Sequence, residues 1–159
     1  MAECKIFIHG LESSDKGTKA VFFREKFPDM IIPHFVGSLK ERMIRLNGIL
    51  SEEQGILLVG SSFGGLMASI FAMENESRVE KLILLAPAIN MFPFAGYENR
   101  KISIPVHIYH GLQDDVIPLD AVKTASERIF RQFSFQEVDD DHFLHQTFMK
   151  MDWDRLLSS

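Results

Sequence analysis

Apolar residues occur in two patterns along the chain. Around Lys5–His9, Gly55–Val59, Val79–Leu85 and Val106–Tyr109 they stand on consecutive positions. Between these runs they recur every three or four residues: Val21, Phe22 and Phe27; Leu39, Met43, Leu46 and Leu50; Phe63, Leu66, Met67, Ile70 and Phe71; Val122, Ala125 and Ile129. Consecutive apolar runs predict strands buried on both faces, and the helical spacing predicts amphipathic helices between them. Phe133–Val138 alternates as a further strand, and Met30–Pro33 reads as a short one confined to an edge, because Pro33 has no N–H to give a ladder. The pattern therefore predicts an α/β protein with a mainly parallel sheet of six strands, helices on both faces, and one domain over residues 1–159. Ser14 or Asp15 is placed to cap the first helix, which Pro28 ends. Ser38 opens the second, Pro118 suits the first turn of the helix through Val122, and His142–Leu157 is expected to close the chain as a helix. Asn90–Ser103 has no period and carries Met91, Phe92, Phe94 and Tyr97.

The most informative junction is Gly60-Ser61-Ser62-Phe63-Gly64, between the apolar strand Gly55–Val59 and the helix that begins at Phe63 and runs to about Asn75. A G-x-S-x-G turn between a strand and a helix is a nucleophile elbow: the serine sits on a strained corner with its hydroxyl clear of the sheet. A Cβ in place of either flanking glycine would collide across so tight a turn. The helix that follows aims free N–H groups at the serine. A phosphate loop is the competing reading of a glycine-rich turn, but no Lys-Ser or Lys-Thr pair follows these glycines and G-x-G-x-x-G does not fit.

Composition narrows the classes. With 159 residues the chain can bury a substantial core, and 46% hydrophobic with 25% charged residues is ordinary for a globular protein. A formal net charge of −5 argues against a nucleic-acid partner. No apolar run is long enough to cross a bilayer, and the start runs directly into Lys5-Ile6-Phe7-Ile8, so no membrane association and a cytoplasmic location are expected. Cys4 is the only cysteine, consistent with a reducing compartment.

A serine hydroxyl needs a general base, and the base needs an acid that orients it. Downstream of Ser62 lie His110-Gly111-Leu112-Gln113-Asp114-Asp115, at the end of the fifth expected strand, and Asp139-Asp140-Asp141-His142, past the sixth. Both stand at carboxyl ends of strands, the edge where open parallel sheets bind ligands. Asp115 competes with Asp114 as the acid, or is merely solvated. His145 belongs with the final helix, Asp139–Asp141 can be a solvated turn, and His9 and His110 are expected to pack or to bond backbone rather than bind metal.

In this order the motifs resemble those of a small, lidless, esterase-like member of the α/β-hydrolase superfamily. G-S-S-F-G matches the elbow; H-G-L-Q-D-D resembles the acid loop and selects Asp114; D-H-F-L resembles the histidine loop and selects His142; H-G-L-E-S-S after the first strand resembles the oxyanion loop of small esterases. The resemblance runs from Ile6 to His142 and implies a strand order, in chain numbering, of 2-1-3-4-5-6. The Leu11 loop then lies beside Ser62, and the backbone N–H groups of Leu11 and Phe63 can converge on an oxyanion. Two features depart from the family: its usual first two strands are missing, and Asn90–Ser103 is only a short loop where relatives insert a lid.

The expectation is a serine hydrolase of a small ester or thioester, with Ser62, His142 and Asp114 as catalytic residues and no metal or cofactor. Met91, Phe92 and Phe94 either line an acyl pocket or pack as core. Two rivals stay open: other acyl-enzyme chemistry on the same residues (amide or C–C cleavage, acyl transfer), and a binding protein that kept the fold without turnover.

Overall fold

The computed structural model describes residues 3–158. Its sheet has five parallel strands, β1 (Cys4–Ile8), β2 (Ile56–Ser61), β3 (Val79–Leu85), β4 (Val106–Gly111) and β5 (Ser134–Val138), in the order β1-β2-β3-β4-β5. The helices are α1 (Thr18–Lys26), α2 (Leu39–Ile49), α3 (Phe63–Glu74), α4 (Leu119–Ile129) and a short α5 (Trp153–Leu156).

Alternate side chains on each strand explain the layers. Ile6, Ile8, Leu58, Leu84 and Ile108 point to one face, where α2, α3 and α4 supply Met43, Leu46, Leu66, Phe71, Val122 and Ile129. Phe7, Leu57, Val59, Ile83 and Leu85 point to the other, where Phe23 of α1 and Trp153 of α5 meet edge to face, ring centroids 4.8 Å apart. Because both faces are covered, the central strands have no polar side (Ile56 to Val59 are fully buried), as the consecutive apolar runs require. Ser38 starts α2 with a reciprocal cap: its Oγ accepts the Glu41 N–H at 3.1 Å, and Glu41 Oε1 accepts the Ser38 N–H at 3.0 Å. Such a cap stabilises a helix by about 1 kcal/mol.

Three sequence expectations are corrected. The sheet has five strands, not six, in the order β1-β2-β3-β4-β5 rather than the expected 2-1-3-4-5-6. Met30–Pro33 does lie beside β1, but as a single bridge in which Phe7 N–H bonds Ile31 O (3.0 Å) and Ile31 N–H bonds Lys5 O (2.8 Å). Pro33, two residues on, has no N–H to give Phe7 O the next bond of the ladder. The cap of α1 is Gly17, without a side-chain bond; Ser14 instead accepts the Lys16 N–H, and Asp15 lies 3.5 Å from His34. The closing segment is no continuous helix: turns lead to a 3-10 turn at Phe148–Lys150 and then to α5. Asp140 is the physical reason. Its Oδ2 accepts the N–H groups of Gln146 (3.0 Å) and Thr147 (2.7 Å), holding the chain in a tight loop, and Leu144 takes a left-handed φ of 53°. Helix resumes only where Asp152 caps the Arg155 N–H at 3.2 Å.

Candidate active site

The site stands at the carboxyl ends of β1, β2, β4 and β5. β2 ends at Ser61, and α3 begins at Phe63, so Ser62 alone makes the corner, with φ 55° and ψ −117°. That conformation is costly for a residue with a side chain and persists only where its surroundings impose it. Here they do so through backbone bonds: Ser62 N–H donates to Leu85 O at 2.9 Å, and Ser62 O accepts from Gly65 N and Ala88 N, each at 2.9 Å. The glycines are needed for close approach. A Cβ on Gly64 would run into the carbonyl oxygens of Ile8 and His9, and one on Gly60 into the carbonyl of Gly64.

His142 and Asp114 meet this serine. His142 Nε2 is 3.2 Å from Ser62 Oγ, and His142 Nδ1 is 2.8 Å from Asp114 Oδ2. The Asp114 side chain is fully buried and that of His142 is 9% exposed. Asp114 Oδ1 accepts the N–H groups of Val116 (2.9 Å) and Ile117 (2.8 Å), which fixes the carboxylate and leaves Oδ2 for histidine. Asp115, the rival acid, is exposed and makes no bond to His142. His110, buried near the end of β4, bonds Ile117 O through Nε2 at 2.9 Å, and the same nitrogen lies 3.3 Å from Asp114 Oδ2. It is thus a second imidazole on this carboxylate as well as the backbone-bonded histidine that was expected.

The loop carrying His142 is anchored from below. Asp140 is only 6% exposed and accepts three backbone N–H groups, those of Asp141, Gln146 and Thr147. Burial alone would raise its pKa, but the bonds from Thr147, Asp141 and Gln146 outweigh this and hold the carboxyl below its ordinary value. Asp139–Asp141 is therefore more than a solvated turn. His145 lies 2.7 Å from Asp141 on the surface, away from the buried chain of bonds.

On the other side of Ser62 is the His9–Leu11 loop. A side chain at Gly10 would stand 3.2 Å from Ser62 Cβ and 3.8 Å from the Phe63 nitrogen, so the two backbones lie against each other. Phe63 is the first residue of α3, where an N–H has no helical acceptor. Among the described residues the Leu11 N–H has no acceptor either. His9 bonds backbone at both ring nitrogens, Nδ1 to Gly10 O at 2.7 Å and Nε2 from Phe35 N–H at 2.9 Å. Burial lowers its pKa, so the ring is held neutral.

Met91, Phe92 and Phe94 do not come together as a pocket beside Ser62. Phe92 is buried core, 5% exposed, and its ring packs tilted against Phe94 and Tyr97 at centroid distances of 5.2 and 5.6 Å. Phe94 lies under the Arg128 guanidinium, 3.7 Å from the ring centre, in a cavity shared with Met73 at the far end of α3. Rings packed against α3 and α4 leave only Met91, which is exposed, free for other contacts. The core reading of this loop fits Phe92 and Phe94. One functional candidate escaped the sequence reading, namely Arg42. The available signal was a cation among Leu39, Met43 and Leu46, on the apolar stripe of α2.

No family model and no curated protein matches this chain in sequence. Solved structures do match in fold. A protein from Agrobacterium vitis S4 superposes with a TM-score of 0.79 at 19% identity, covering 98% of this chain and 88% of its own. The esterase Est1E of Butyrivibrio proteoclasticus, solved with ferulic acid bound, gives 0.75 at 16% identity over 98% of this chain and 86% of its own. An alpha-beta serine hydrolase homologue from Coxiella burnetii gives 0.74 at 18% identity, with 98% and 85% covered. The chain has the α/β-hydrolase fold.

Proposed function

We propose that this protein is a serine hydrolase that cleaves a small ester or thioester through an acyl-enzyme on Ser62. The observation that carries the reading is the hydrogen-bonded chain from Ser62 Oγ through His142 to the buried Asp114, at 3.2 and 2.8 Å, on a strained elbow. In the reaction, His142 Nε2 takes the proton from Ser62 as Oγ attacks the acyl carbonyl. Asp114, whose Oδ1 is held by two backbone donors, keeps Nδ1 protonated and stabilises the imidazolium. The N–H groups of Leu11 and Phe63 receive the oxyanion, an interaction worth several kcal/mol in such chemistry. His142 then gives the proton to the leaving alcohol or thiol, and water repeats the cycle to release the acid. These steps use only side chains and backbone of this chain, together with water.

The exposed side chains around Ser62 suit a small acyl group. Leu11 and Phe143 are about half exposed, and Phe143 stands edge-on to His142 at 5.4 Å. The segment 90–103 holds only a pair of short 3-10 turns, which cannot cover a long chain. The kcat/KM for p-nitrophenyl esters is expected to peak at short acyl lengths, about two to six carbons, because further methylenes would remain in water and lose the roughly 0.8 kcal/mol each gains on burial. A reducing, cytoplasmic location is part of the proposal: the one thiol, Cys4, is buried, and burial together with nearby Glu53 pushes its pKa up to about 11, which keeps it unreactive.

Hydrolysis of p-nitrophenyl acetate by the wild type and by Asp114→Asn and Asp115→Asn tests the assignment. Asp114→Asn is expected to lose about a thousandfold or more in kcat, and Asp115→Asn less than about threefold. Comparable losses in both would remove Asp114 from the mechanism.

A further inference from the structure

Among the described residues, Arg42 is a buried cation without a counter-ion. It is 5% exposed on the first turns of α2. Its Nε donates to Gly37 O at 2.9 Å, and its guanidinium lies 5.5 Å from the centre of the Phe63 ring. Nη1 is sealed from solvent with no acceptor, whereas Nη2, also without a protein acceptor, keeps contact with solvent. Among the described residues no carboxylate pairs with it. The adjacent carboxylate, Glu41, is turned back to the Ser38 N–H. Burial lowers the Arg42 pKa, and no acidic neighbour acts in the opposite direction.

The fold gains little from this charge. Its place on the stripe of Leu39, Met43 and Leu46 would accept an apolar side chain, and the amino end of a helix is the wrong end for a cation. Leaving a buried charge unpaired is strongly unfavourable. What distinguishes the position is the site next to it. Phe63, under the guanidinium, follows Ser62 directly, and Arg42 is near enough to His9 to disfavour its protonation. Arg42 therefore stands on the β1 side of Ser62, beside the Leu11 loop. Asp114 and His142 arrive from the opposite side, on β4 and β5.

We infer that Arg42 binds a carboxylate carried by the acyl part of the substrate, so that the preferred substrates are half-esters or half-thioesters of short dicarboxylic acids. The inference rests on the proposed acyl-enzyme chemistry, which fixes the direction. The leaving group departs toward His142, its proton donor, so the acyl arm extends to the other side, where Arg42 lies. The terminal nitrogen open to solvent, Nη2, can donate one charge-assisted hydrogen bond to a carboxylate oxygen. An anion there supplies the charge that the fold lacks, and Nη2 offers its point of entry.

The test compares two esters of equal chain length on the wild type, p-nitrophenyl butyrate and mono-p-nitrophenyl succinate. The succinate half-ester is expected to be favoured in kcat/KM by about tenfold or more, the value of one charge-assisted contact. In Arg42→Met the ratio of the two specificities should fall by at least about tenfold, and Arg42→Lys should retain part of it. Glutarate should inhibit wild-type butyrate hydrolysis at lower concentration than glutaramide, a readout independent of how the variants fold. Equal specificity for the two esters in the wild type, or equal inhibition by glutarate and glutaramide, would overturn the carboxylate subsite while leaving the hydrolase reading in place. A wild type inactive on both esters would overturn both.

Discussion

The segments Gly60–Gly65 and Asp139–Trp153 deliver the two atoms that meet across 3.2 Å, Ser62 Oγ and His142 Nε2. They do so by different means. The elbow is held by backbone alone: bonds to Leu85, Ala88 and Gly65, and glycines whose missing side chains let α3 approach β1 and β2. The histidine loop leans on side chains: the Asp140 carboxylate gathers three N–H groups, Asp141 Oδ1 accepts the Phe143 N–H at 3.0 Å, and Lys19 Nζ donates to Phe143 O at 2.7 Å. Steric exclusion tolerates almost no change and is insensitive to pH. A carboxylate cap can be weakened in steps and titrates. Ser62 is thus set in the stiff part of the molecule and His142 in the part whose geometry depends on charge.

Substitutions can separate these two modes. The largest effect is expected from Gly64→Ala, since the new Cβ meets backbone oxygens of Ile8 and His9 that the sheet holds in place. Urea unfolding should show a loss of about 4 kcal/mol or more, or no folded protein at all. A loss under about 1 kcal/mol would mean that the elbow yields and is not sterically fixed. Next comes Asp140→Ala, expected to cost about 2–4 kcal/mol because three part-buried N–H groups lose a charged acceptor. Its activity should fall further than its folded fraction, since His142 loses its anchor. Asp140→Asn should fall between Ala and wild type in both measurements.

The smallest effect is the response to acid. Burial lowers the His9 pKa in the folded protein, so on acidification the unfolded chain takes up a proton near the ordinary value of 6.5 that the folded state resists. Stability should therefore begin to decline as pH falls below that value, and His9→Gln should flatten this part of the curve. The flattening will be partial, because burial lowers the His107 pKa as well. Asp140 acts at lower pH. Its folded pKa lies below the ordinary carboxylate value, so its contribution is complete above that value and is lost as pH falls toward the folded pKa. Thermal melts from pH 8 to pH 3 on wild type, His9→Gln and Asp140→Asn would resolve the two ranges; a melt curve for His9→Gln parallel to wild type between pH 7 and pH 5 would remove His9 from the account.

The same contrast explains what could be read from the chain. β2, the elbow and α3 follow from local signals, namely an apolar run, G-x-S-x-G and helical spacing; α3 starts at the expected Phe63, while β2 runs two residues past the expected Val59, to Ser61. The segment Met30–Pro33 reads as an edge strand, but it pairs with β1 through one bridge only, because Pro33 cannot donate the next bond. The closing segment misled because Leu144, Phe148 and Leu156 recur at nearly helical spacing, yet they are buried against α1 and the sheet by a loop that Asp140 shapes through bonds six and seven residues ahead. Propensity carries no trace of a carboxylate acting at that range. Phe92 and Phe94 could be seen as apolar residues in a loop, but which way they face was decided by α3 and α4. Arg42 is similar: its position on an apolar stripe was visible, and its lack of a counter-ion was not.

The central claim is that Ser62 is an activated nucleophile, raised in reactivity by His142. The most direct measurement is covalent labelling by a fluorophosphonate probe, with the modified residue located by mass spectrometry. Stoichiometric labelling of wild type at Ser62, none of Ser62→Ala, and labelling slowed by orders of magnitude in His142→Ala are expected. Wild-type protein that stays unlabelled, or a label that persists in Ser62→Ala, would contradict the central claim.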